Sequence, residues 1–96
     1  MELNKRIREF IIEEGLAGDR TIVFTDDDSF LERGLIDSTG VLELIVFVEE
    51  QFGIAVRDED LVPENFDSVE KLSRYISLKL AEANQGNASQ RPAGGL

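Results

Sequence analysis

Residues 34–54 read GLIDSTGVLELIVFVEEQFGI, an Asp-Ser pair set directly before a long run in which apolar side chains recur at helical spacing. At ~100° per residue, Val41, Leu44, Ile45, Val48 and Phe52 fall on one face. The run therefore predicts a helix from about Ser38 to Phe52 that buries this face and stops at Gly53. Thr39, Glu43, Val46, Phe47 and Glu50 fall on the far side, with Leu42 on the flank.

That far side mixes apolar side chains with carboxylates and reads as a docking surface. Phe47 has an equal alternative, burial beneath the long loop that precedes this stretch. Ser38 also has two readings. It is a plain N-cap for the orphan N–H groups of the helix, or it is an exposed hydroxyl to which a partner attaches a group.

Upstream, Leu3, Ile7, Phe10 and Ile11 recur between charged residues and predict an amphipathic helix ended by Gly15 or Gly18. From Gly18 to Asp37 periodicity is lost. Val23, Phe24, Phe30, Leu31, Leu35 and Ile36 are expected to anchor this long loop, with a helical turn near Ser29–Arg33. Downstream, Ile54 and Val56 return to the core, and a brief turn at Asp58–Leu61 is expected to end at Pro63. The last helix is expected to start at Asp67 or Ser68, to carry Val69, Leu72, Tyr75, Ile76 and Leu80 inwards, and to end near Glu82. The fold class is all-α: a small four-helix bundle of three longer helices, a short third helix and a long first loop. One domain spans 1–82, and the Gly-, Asn- and Gln-rich stretch 83–96 is expected to be a flexible tail.

Composition narrows the chemistry. The 96 residues contain no His, Cys or Trp, which removes the usual general base, thiol nucleophile and soft metal ligands. An esterase built on Ser38 would lack its base, so the chain is expected not to be an enzyme. The acid run TDDDSFLERGLID has an EF-hand-like outer spacing at Asp26, Asp28 and Asp37, but Phe30 and Leu31 occupy a ligand position and the turn-glycine position. The three aspartates at 26–28 then read as a solvated cluster, and no metal site is expected. Twenty acids against ten bases give a net charge of −10, which disfavours nucleic acid and favours partners with basic patches. No apolar run approaches the ~20 residues of a membrane span, and the charged start MELNKRIREF lacks a signal peptide's apolar core. A cytoplasmic monomer without membrane insertion is expected.

The order GLIDST, LELIVFVEEQFGI, a short acidic turn and FDSVEKLSRYI resembles the acyl and peptidyl carrier proteins, over nearly the whole chain to about Glu82. The resemblance implies a bundle of acyl-carrier type in which Ser38 receives 4′-phosphopantetheine from coenzyme A through a phosphopantetheinyl transferase. Asp37 then matches the acid of the modification motif, and Glu43, Val46, Glu49 and Glu50 match the helix that docks on partners. Those partners would be an acyl or aminoacyl ligase and acyltransferases with basic patches, serving fatty acid, polyketide or nonribosomal peptide synthesis. Thr39 stands where fatty-acid-synthesis carriers usually have Leu, and Gly34-Leu35-Ile36-Asp37-Ser38-Thr39-Gly40 is similar to the run in stand-alone carriers such as the D-alanyl carrier proteins. A dedicated pathway with its own ligase is the implied setting. The rival reading is a degenerate carrier-like acidic interaction module that is never modified.

Overall fold

Helix α1 (Glu2–Phe10) turns Ile7 into the core and half-buries Leu3 and Phe10. It continues into a wider turn, Ile11–Gly15, in which the Leu16 N–H donates to the Ile11 carbonyl at 3.0 Å, the i+5 spacing of a π turn. Ile11 and Ile12 are buried there. Gly18, with φ +81°, then closes the end by donating to the Ile12 carbonyl at 2.7 Å. These features belong to a computed structural model that describes the backbone of residues 2–90 and the side chains of residues 2–83.

Helix α2 (Ser38–Phe52) buries Leu44 and Val48 completely, while Val41, Ile45 and Phe52 pack at the edge of the core. Each fully buried side chain of this size contributes about 1.5–3 kcal/mol. Gly53 adopts φ +67° and donates to the Glu49 carbonyl, which ends the helix as the sequence predicts.

A single turn of 3₁₀ helix at Asp58–Asp60 follows, and the short third helix, α3, spans Pro63–Phe66. Pro63 thus opens a helix instead of ending a turn. Its missing N–H is harmless at the first helical position and its fixed φ suits one. Phe66, which the sequence reading left out of the core, is buried against Tyr75 with ring centroids 5.1 Å apart.

Helix α4 (Val69–Gln90) is capped by Ser68, whose hydroxyl accepts the Lys71 N–H at 3.0 Å. Val69, Leu72, Tyr75 and Ile76 are buried, but Leu80 is exposed, because the helix has passed the last core residue by then. The helix also runs beyond the expected end at Glu82. Residues 83–90 contain no Pro, and their one Gly costs a helix only about 1 kcal/mol. Of the expected tail, residues 91–96 lie outside the described residues.

The long first loop is pinned through Phe24, Phe30, Leu35 and Ile36, all buried. Val23 and Leu31 are 78% and 50% exposed, contrary to the sequence reading, since their neighbours Phe24 and Phe30 take the inward places. Polar pins complete the attachment. The Arg8 guanidinium lies 4.2 Å over the Phe24 ring and donates to Asp26 at 2.9 Å and to the Phe24 carbonyl at 3.1 Å. Asn4 also donates to Asp26, and the Glu70 N–H donates to the Asp26 carbonyl. Asp28 accepts the Thr25 N–H and Arg33. Asp26 and Asp28 are therefore structural acceptors, not members of a solvated cluster; Asp27 alone of the three is exposed.

Candidate functional site

The start of α2 shows which of the two adjacent residues caps the helix. Asp37 has an extended backbone (φ −106°, ψ −173°), and its carboxylate accepts the Gly40 N–H at 2.8 Å. Its carbonyl accepts the Val41 N–H at 3.0 Å. Asp37 is thus the N-cap, and Ser38 is the first helical residue, exposed to solvent. The capping task is met without the serine hydroxyl. At this helix end the first N–H groups lack intrahelical partners and carry the positive end of the dipole.

Two depressions flank Ser38. On the α1 side a shallow pocket of about 320 Å³ is lined by Phe10, Glu14, Ile36, Asp37, Thr39 and Glu43, among others. On the α3 side an apolar cleft of about 190 Å³ is walled by Leu31, Ile36, Val41, Leu61, Val62 and Phe66, among others. Ile36, two residues before the serine, borders both. Neither Glu14 nor Ile36 was singled out for this site from sequence; only the fold brings the end of α1 beside the start of α2.

The proposed docking residues divide into three kinds. Thr39, Leu42, Glu43, Val46 and Glu50 are exposed, and Leu42 and Val46 present apolar side chains at 64% and 51% exposure. Phe47 is half-buried, stacked on Phe10 at 4.4 Å and edge-on to Phe52 at 5.9 Å, so packing accounts for it, against α1 and not beneath the long first loop. Glu49 is half-buried and turned to the fold's own use, its carboxylate accepting the Val56 N–H at 2.9 Å.

The segment that carries this face holds no cation of its own. No Lys or Arg occurs between Arg33 and Arg57. Arg8, Arg20, Arg33, Arg57, Arg74 and Lys79 pair with carboxylates elsewhere, while Arg6 bonds Gln51 and lies over Phe52. Glu43 and Glu50 make no ion pair among the described residues. Nor is any group of three or more His, Cys, Asp or Glu side chains there arranged to hold a metal ion.

The lip of the apolar cleft is fastened from α4. The Tyr75 hydroxyl donates to Asp60 at 2.7 Å, Lys79 lies 3.8 Å from the same carboxylate, and Asn65 donates to the Asp60 carbonyl. Burial, then the bond to Asp60, pushes the Tyr75 phenol above its ordinary range, while the Tyr75 hydroxyl holds Asp60 below the usual carboxylate range.

Comparison with known proteins agrees with the resemblance read from the sequence. A family model described as a phosphopantetheine attachment site matches residues 5–76. A D-alanyl carrier protein of Abiotrophia defectiva is 29% identical over 68 residues, covering 71% of this chain and 86% of that protein. An acyl carrier protein of Buchnera aphidicola subsp. Schizaphis graminum (strain Sg) is 41% identical over 51 residues, covering 53% of this chain and 62% of that protein. No helix among the described residues is long and apolar enough to cross a membrane.

Proposed function

Because the chain belongs to the phosphopantetheine attachment-site family, a family of non-catalytic all-helical carriers that use 4′-phosphopantetheine, we propose that Ser38 is its attachment residue and that it serves one dedicated pathway. The observation that carries this reading is the division of labour at α2, where Asp37 caps the helix and leaves an exposed hydroxyl at its positive end. The prosthetic group supplies, once attached, the thiol that this chain lacks and that holds cargo as a thioester. In the transfer the Ser38 Oγ forms a bond to phosphorus, the pyrophosphate bond of coenzyme A breaks, and adenosine 3′,5′-bisphosphate leaves. The hydroxyl proton passes to a base on the transferase, since this chain has no His. Asp37, exposed beside Ser38, is the acid offered to the transferase and its metal.

Leu42, Glu43, Val46 and Glu50, with Thr39 at the helix start, form the face for the transferase and for a ligase and acyltransferases bearing basic patches. Glu49 and Phe47 support it from within. The D-alanyl carrier relative, matched over most of its length, and the small volume of the apolar cleft favour an aminoacyl or short acyl cargo. The protein acts as a cytoplasmic monomer in this reading.

The test is the mass of the intact chain after incubation with coenzyme A, magnesium and a broad-specificity phosphopantetheinyl transferase. One adduct is expected on the native chain. None on the folded protein would favour an unmodified interaction module.

A further inference from the structure

Ile36 is approached from both sides by a glycine, one in the turn that closes α1 and one in α2. A Cβ on Gly15, at the end of the π turn that closes α1, would lie 2.3 Å from the Leu35 carbonyl oxygen and 2.7 Å from Ile36 Cγ2. A Cβ on Gly40 would lie 3.2 Å from Ile36 Cβ and 3.4 Å from Asp37 Oδ1. The buried Ile36 side chain is thus wedged between Gly15 and Gly40. Gly40 is also the residue whose N–H donates to the capping Asp37 carboxylate.

The two contacts differ in kind. At Gly40 a neighbour has to give by only a few tenths of an ångström. At Gly15 the obstacle is a backbone carbonyl, which cannot rotate aside as a side chain tip can. Any side chain at position 15 must therefore move the Leu35–Ile36 peptide or the end of α1.

We propose that Gly15 is a positioning residue for phosphopantetheine transfer, acting through Ile36 and the Asp37–Gly40 cap to fix the place of Ser38 Oγ. The inference rests on Ser38 being the acceptor. Its physical content is that a glycine in the turn closing α1 sets where the hydroxyl stands through the backbone it packs on. Misplacement of a reacting group by about 1 Å can cost on the order of 100-fold in rate. Gly15→Ala is accordingly expected to lower kcat/KM for transfer about 10-fold or more, chiefly in kcat.

The experiment compares Gly15→Ala with Val48→Ala, a core truncation on α2 remote from Ser38, using the full chain, coenzyme A, magnesium and the transferase. Both variants lower the melting temperature, and both are assayed well below it. Slow transfer by Gly15→Ala alone, with moved amide resonances at Ser38, Thr39 and Gly40 in the unmodified protein, supports the proposal. Equal transfer rates for the two variants overturn it. Should Gly15→Ala not fold, Ile36→Ala removes the wedge instead, and a rate equal to that of Val48→Ala overturns the proposal in the same way. If the native chain itself is not modified, the attachment reading fails. The resonances still decide whether position 15 sets the geometry at Ser38.

Discussion

Asp37 and Ser38 divide two tasks that a lone serine would have to combine. Replacing Asp37 by Ala removes the bond to the Gly40 N–H and should cost about 1 kcal/mol of unfolding free energy, measured by urea denaturation. Asn caps as well as Asp does. Asp37→Asn should therefore stay within a few tenths of a kcal/mol of the native chain while slowing phosphopantetheine transfer, because it keeps the cap and loses the charge. Equal transfer by Asp37→Asn would mean that the carboxylate serves the helix alone. The sequence left the cap open between two adjacent residues, since Asp and Ser are both good caps and only backbone angles choose between them. Glu49, which the resemblance places on the docking helix, is half-buried and bonds the Val56 N–H beyond the helix, a contact that the sequence does not show.

Among the elements, α2 was the most legible, because five apolar positions at helical spacing and a terminal Gly leave little freedom. Its outward face carries a prediction of its own. Glu43→Lys with Glu50→Lys should leave the fold intact and slow transfer several-fold at low salt; unchanged kinetics there would remove this face from recognition. The region from Asp58 to Phe66 was less legible, because Pro serves equally well after a turn and at the start of a helix. Its anchorage depends on the bond from Tyr75 of α4 to Asp60, which no local pattern reports. Tyr75 has its pKa raised, so its contribution is fully present below about pH 10, the ordinary tyrosine value, and is lost as pH rises through the folded value. Asp60 has its pKa lowered, so its contribution is present above the usual carboxylate range and is lost as pH falls through the folded value. Tyr75→Phe should therefore have a flatter dependence of melting temperature on pH at both extremes. Parallel native and variant curves would contradict the pairing.

For the molecule as a whole, a net charge of −10 sets two responses of opposite sign. Salt shortens the Debye length to ~10 Å at 0.1 M, which relieves self-repulsion and weakens steering towards a basic partner. The melting temperature should rise with sodium chloride while the rate of transfer falls; a rate indifferent to salt would remove the electrostatic account of docking. The bundle and its acidity were legible because they are sums over many residues. The packing of Gly15 on Leu35 and Ile36 was not, because it joins segments far apart in sequence through the one residue that has no side chain to show in a pattern. The account turns on one atom, the free Ser38 hydroxyl, and the most direct measurement is fragmentation mass spectrometry of the transferase-treated native chain. The phosphopantetheine adduct is predicted on Ser38 alone. An adduct on any other Ser or Thr of the folded protein would contradict the account.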